Sequence, residues 1–348
     1  ASAIIGQSAS MVAQKDLVLT GNHSYRASLD ARANTLTADT LLVSDLAHLE
    51  AKGDLAVKQL TAGRVELVGG ALTLGTLNVA DSLAATAAQG LTAEHLLAGK
   101  SIRLQAGDDL SVKHADAPSF EAQAGKQIKL DLLSADSGVL RSATQIALAQ
   151  ASLNSIDLQA PVVQGRVKVA QGNTLTTRLT GVGGAAAQSV TLDVDTPLRW
   201  LVPVLNADTA TLSTNGNFAQ FDDARVTTTM TLATPGGLIG MSNGEIKAMP
   251  GVDVQLYAPN GDFRLIRDGI NAYTTALALI YKAGQMVSAP NTGLSPMAAA
   301  AGVANGSGRA VGALRPGQLT VNLDALLRRA PTAAGEDEEE LLVGELEF

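Results

Sequence analysis

The sequence predicts an all-β protein built as a β-solenoid, a stack of coils of about 18 residues each. Three observations carry the prediction. Short strand starts recur at a nearly constant interval along the first half of the chain. Each start alternates aliphatic with polar or small residues, the period-2 signature of a strand with one face in and one face out. The chain of 348 residues also holds only five Phe, four Tyr and one Trp. Its interior must therefore be filled by Leu, Val, Ile and Ala, which suit thin repeated layers better than one bulky core.

The strand starts fall at Leu17, Leu36, Leu55, Leu72, Leu91, Leu110, Ile128 and Ile146, at intervals of 19, 19, 17, 19, 19, 18 and 18 residues. Turn signals precede several of them: Lys52-Gly53-Asp54, Gly107-Asp108-Asp109 and Gly125-Lys126. Secondary strands lie between, at Val65–Leu67, Leu77–Val79, Ile102–Leu104 and Ile156–Leu158. Three short strands and three corners use roughly 18–20 residues, and each strand then meets its equivalent one coil away at the ordinary strand spacing of about 4.8 Å. Helical solenoids need longer repeats with a 3.6 period, and leucine-rich repeats need an Asn or Cys at a fixed place. A compact β-sandwich, with strands every 8–12 residues or so, is the competing architecture.

After Gly165 the register loosens. Strands are expected at Val167–Val169, Val190–Val194, Ala210–Ser213, Val226–Leu232 and Val252–Leu256. The segment Pro197–Pro203 holds the only Trp between two prolines and reads as a packed corner or cap plugged by Trp200. A helix is predicted over Asp268–Val287, because Ile270, Tyr273, Leu277 and Ile280 share one face at helical spacing and Asp268 can cap the start. Such a helix would cover an end or flank of the solenoid, where an exposed strand edge needs protection. An Ala/Gly-rich loop follows over Met297–Gly308, then a strand at Leu319–Leu323, a short turn of helix at Leu326–Arg329 and an acidic tail. The organisation read this way is 1–165 regular coils, 166–268 less regular continuation, 269–315 helix and loop, and 316–348 C-terminal strand and tail.

The formal net charge is −8, and the tail residues Glu336, Asp337, Glu338, Glu339, Glu340, Glu345 and Glu347 carry seven of those negative charges, leaving the rest near −1. The body is thus nearly neutral and carries no long basic run, so nucleic-acid binding, which needs a clustered basic surface, is not expected. There is no Cys, which removes disulfides, thiolate metal sites and cysteine nucleophiles. No run approaches 18 consecutive apolar residues, so no membrane-spanning helix is expected. The chain opens at Ala1 with no signal peptide and reads as a mature product or a fragment of a longer protein.

Residues able to do chemistry are sparse. His23, His48, His95 and His114 stand apart, and only His114 with Asp116, in KHADAP, shares a short turn, whose default is an exposed loop. Asp108-Asp109 and Asp222-Asp223 are the paired acids that a glycan-cleaving enzyme would need, but the first pair sits in a turn and aromatic platforms are scarce. The GMSNG run, Gly240 to Gly244, matches the nucleophile-elbow pattern, yet no His follows it and Pro250 blocks a helix. No catalytic residue, metal site or cofactor is assigned. The candidate cap or interaction residues are Trp200, Tyr273, Leu277, Ile280 and, in the tail, Phe348, whose segment Leu341–Phe348 can dock by strand addition.

The run NTLTADTLLVSDLAHLEAKGDLAVKQLTAGRVELVGGALTLGTLNVADSL, Asn34 to Leu83, resembles the rod repeats of filamentous haemagglutinin-like large exoproteins, and so do GKSIRLQAGDDLSV and GKQIKL. The resemblance covers about residues 10–165 and rests on repeat texture; no functional residue transfers with it. It implies a right-handed parallel β-helix, export by two-partner secretion through an outer-membrane secretion partner, and a place in the medium or on the surface of a Gram-negative bacterium. The chain then reads as a C-terminal β-helix fragment with an irregular cap containing a short helix. The expected function is a non-catalytic structural scaffold in adhesion or filament formation, with partners on a host-cell, neighbouring-cell or matrix surface and self-association through the tail. The alternative is a β-helical carbohydrate-active enzyme or tailspike-like depolymerase.

Overall fold

Period-2 alternation and a constant repeat length are satisfied together only if equivalent residues of successive coils stack in columns. The computed structural model has this arrangement: an all-β, right-handed parallel β-solenoid. It describes residues 3–5, 8–215, 218–233, 238–241, 246–248, 253–267, 270–282 and 285–288. The chain divides into two compact units, Ala1–Ala160 and Pro161–Phe348.

In the first unit the eight strand starts read from the sequence form one continuous ladder. Leu17 pairs with Leu36, Leu36 with Leu55, Leu55 with Leu72, Leu72 with Leu91, Leu91 with Leu110, Leu110 with Ile128, and Ile128 with Ile146, all parallel. The coil beginning at Leu91 is representative. Strand Leu91–Ala98 buries Leu91, Ala93, Leu96 and Ala98, and the two successive outward residues Glu94 and His95 interrupt the alternation. That double step turns the chain from one side of the coil to the next. Gly99-Lys100 makes the second turn, and strand Ser101–Ala106 buries Ile102, Leu104 and Ala106 on the third side. Each coil thus sends about seven small or aliphatic side chains inward, and a buried Leu stabilises by roughly 1.5–3 kcal/mol.

Differences in coil length fall in the turns and, in strand Asp16–Tyr25, at the corner between Leu19 and Asn22, which holds one extra residue. Ala62 pairs with Val79 and Val65 with Leu83, so the coil from Leu55 has one residue fewer at its second turn than the coil from Leu72. The step from Gly69 to Leu72 is also one shorter than that from Ala87 to Leu91, which accounts for the interval of 17 rather than 19. The turns themselves bond coil to coil: the Gly107 amide donates to the Ala87 carbonyl at 3.0 Å and the Lys126 amide to the Asp108 carbonyl at 3.0 Å. Backbones approach so closely there that a Cβ at Gly107 would collide with the Ala88 carbonyl.

The second unit is less regular. Strand Val162–Val169 pairs parallel with Ala187–Asp195, and Val163 meets Val190 across a longer step that contains a 3-10 turn at Val182–Gly184. Gly183 and Gly184 adopt φ of 65° and 83°, conformations open to glycine. Strand Arg199–Thr214 pairs with Thr174–Thr180, Ala187–Asp195 and Phe218–Ala233. Strand Asp253–Arg267 continues the parallel pattern on Phe218–Ala233.

Two expectations are corrected here. Pro197-Leu198 bends between strands Ala187–Asp195 and Arg199–Thr214, but the rest of the segment through Pro203 is strand, so Trp200 stands in a strand and not in a corner. Within the expected helix Asp268–Val287, the described residues are strand: Ile270–Lys282 runs antiparallel to Asp253–Arg267 and to Gln285–Ser288. The sequence supports both patterns, since Tyr273, Thr275, Leu277, Leu279 and Tyr281 alternate as cleanly as Ile270, Tyr273, Leu277 and Ile280 follow a helical stripe. Thr and Tyr favour the strand, and a pairing edge decides in its favour. The strand at Leu319–Leu323, the turn at Leu326–Arg329, the Ala/Gly-rich loop and the acidic tail lie outside the described residues.

Candidate functional site

With the inward columns filled mostly by aliphatic side chains, chemistry in the first unit resides on the outward columns, where equivalent residues stand one coil apart. The double step at the first corner generates one such column: Asp39, Lys58, Gly75, Glu94, Lys113 and Asp131. Lys58 Nζ lies 2.7 Å from Asp39 Oδ1, and Lys113 Nζ lies 2.8 Å from Glu94 Oε1. The two lysines reach back toward their partners, and Gly75 between the pairs has no side chain. A shallow groove opens there over Ala56, Thr73, Thr92 and Ser111. Gly75 cannot be enlarged to close it, because a Cβ would fall on the Lys58 carbonyl.

The groove carries two carboxylates, both in the ionised form's favour. Lys58 first, and then the Gly21 amide at 3.0 Å, hold the Asp39 carboxyl below its usual range. Lys113 does the same for Glu94, and Glu94 in turn raises the lysine. A group acting as the proton donor in glycoside cleavage needs the opposite shift.

These shifts fix a pH dependence. The Glu94 carboxyl is harder to protonate folded than unfolded, so its contribution is present above the ordinary carboxylate range and is lost as pH falls through the lowered folded value. The Lys113 contribution is present below the ordinary lysine value and is lost as pH rises through the raised folded value. Thermal melts across pH should therefore have a neutral plateau with a small decline in acid. Glu94→Gln should flatten part of that acid decline, and an acid limb identical to the parent's would count against the pair. Both side chains are exposed, which keeps the effect small.

A second set of ion pairs ties coils on the third side. Glu121 accepts from Arg103 at 2.9 Å and from Arg141 at 3.4 Å, and His48 lies 3.3 Å from Glu66. Next to them runs a column of in-register serines: Ser82, Ser101, Ser119, Ser137 and Ser155. Of the paired acids, Asp108 is engaged by Lys126 at 2.9 Å, and Asp223 lies in strand Phe218–Ala233 opposite Val204.

The histidines are arranged differently from the sequence reading. His114 lies in strand Leu110–Asp116, and it stacks on His95 of the preceding coil, the ring centroids 5.7 Å apart and the planes inclined at 69°. The spacing of 19 residues equals one coil, so the pair was visible as a repeat distance although not as a local motif.

Trp200 is fully buried. It stands within a ladder, opposite Leu175 on one side and Ala219 on the other. Its indole N–H donates to Thr177 Oγ1 at 2.9 Å, and its ring meets Phe221 edge-on at 5.8 Å. Trp200 is therefore an interior residue of the second unit. Tyr273, Leu277 and Ile280 lie on the antiparallel strand, opposite Arg264, Ala258 and Gln255. Phe348 lies outside the described residues.

Among the described residues, no cluster of three or more His, Cys, Asp or Glu is disposed to hold a metal ion. The fold and these faces define the class: a parallel β-solenoid whose polar side chains form outward ladders. Compared with known families, curated proteins and solved structures, the chain matches none.

Proposed function

We propose that the chain is a non-catalytic structural scaffold of a secreted or surface-displayed bacterial exoprotein, acting in adhesion or filament formation. The observation that carries this reading is the unbroken in-register ladder from Leu17 to Ile146, with outward side chains committed to coil-to-coil ion pairs. Such a stack is stiff because each coil is buried against its neighbours. The resemblance of the repeat texture to that of filamentous haemagglutinin-like exoproteins supports export through an outer-membrane partner of a Gram-negative cell. A chain without Cys suits passage in an unfolded state. The partner on this reading is a host-cell, neighbouring-cell or matrix surface.

The test couples two measurements on the purified chain. Beads coated with it are applied to epithelial, bacterial and matrix-coated surfaces, and the chain is incubated with a panel of polysaccharides while reducing ends are assayed. Retention on at least one surface without release of reducing ends is expected. Release of reducing ends, abolished by Asp39→Asn or Glu94→Gln, would instead establish the carbohydrate-active alternative, and absence of retention on every surface would reject adhesion.

A further inference from the structure

We propose that His95 and His114 form a two-imidazole site for a late first-row divalent cation, bridging two neighbouring coils. The two residues are directly opposite in a parallel ladder, flanked by the pairs Val112 with Ala93 and Ala115 with Leu96. Both side chains point outward, His95 exposed and His114 half-buried. Their column runs Thr76, His95, His114, Leu132, so a hydroxyl residue stands on one side and an apolar residue on the other.

The geometry is close to a chelate. A metal–nitrogen bond of about 2.0–2.1 Å puts an imidazole centroid about 3.2 Å from the ion, so two rings at a tetrahedral angle have centroids about 5.2 Å apart. The observed 5.7 Å needs only a small rotation of the two side chains to reach that value. Neither histidine forms an ion pair among the described residues, whereas His48 is engaged by Glu50 and Glu66. Glu94 is held by Lys113, so the remaining positions on the ion fall to water. Imidazole pairs of this kind favour Cu²⁺ over Ni²⁺ and Zn²⁺. A bound ion would clamp two coils at the corner beside the groove, a place where the backbone ladder skips a residue.

The test is calorimetric titration of the intact chain with CuCl₂, NiCl₂ and ZnCl₂ separately. A single equivalent should bind, weakening on acidification because a protonated imidazole cannot ligate. His95→Ala and His114→Ala should each weaken binding by about tenfold or more, since even groups behind a ligand are worth about 10–100-fold. The double variant should bind no more tightly than either single one, because both ligands are then gone. His23→Ala and His48→Ala should leave binding unchanged. Amide exchange in strands Leu91–Ala98 and Leu110–Asp116 should slow on metal addition. Dissociation constants weaker than about 1 mM, full binding retained in either single variant, or a loss that follows His48 would each overturn the proposal.

Discussion

Leu110→Asp is expected to unfold the middle of the first unit. Leu110 is fully buried, stacked between Leu91 and Ile128 in one inward column. Truncating a buried Leu costs about 2–5 kcal/mol. The aspartate adds the desolvation of an uncompensated carboxylate, several kcal/mol more, or a proton taken up to avoid it. The sum approaches the total stability of an ordinary domain, about 5–15 kcal/mol. Neighbouring coils each lose a packing partner, so the damage spreads along the stack. Far-UV circular dichroism in urea and limited proteolysis with mass readout check this. New cleavage sites should appear between Leu91 and Ile146. Ser111→Asp, one residue further on and facing outward, is the matched control and should stay within about 0.5 kcal/mol of the parent. Equal stability of the two variants would contradict the assignment of inward and outward faces.

Trp200→Ala should be the most damaging truncation in the second unit. Removing a buried Trp costs about 3–5 kcal/mol, and the edge-on contact with Phe221 adds roughly 0.5–1.5 kcal/mol. Thr177 is fully buried and loses its donor, a penalty of about 1–3 kcal/mol. Trp200→Phe retains most of the volume and isolates that last contribution. Adding Thr177→Val to Trp200→Phe should recover part of the loss, because both polar partners are then gone. Denaturant midpoints followed by circular dichroism measure all four proteins. No recovery in the paired variant would mean the indole–hydroxyl bond contributes nothing, and an unchanged midpoint in Trp200→Ala would remove Trp200 from the core.

The contrast between the two units explains what could be read in advance. In the first, local alternation, turn residues and repeat length all point to the same strands, so the anchors Leu17 to Ile146 were legible and their pairing followed from the interval. The corner at Glu94-His95 was not foreseen, because a double polar step resembles noise until the registers on either side are known. The His95–His114 contact was hidden for a related reason: metal-ligand spacing is usually sought within a turn, and here it equals one coil. In the second unit the repeat no longer disciplines the reading. A strand such as Ile270–Lys282 then depends on which edge is free to pair with it, and that is a property of distant residues. Trp200, bracketed by prolines, looked like a corner because proline is rare inside strands; only the ladder partners Leu175 and Ala219 reveal it as interior.

The confinement of length differences to the turns and corners bears on how such a chain can grow. An exchange between two coils of its gene that cuts at equivalent positions adds or removes one complete layer. Leucine still lands above leucine, and the glycines still meet the carbonyls they must clear. A cut one residue out of phase reverses inside and outside for every strand until the next corner. Duplication in whole layers is thus the mutational step this architecture tolerates best, and the near-equal intervals from Leu17 to Ile146 are what a history of such steps would leave behind.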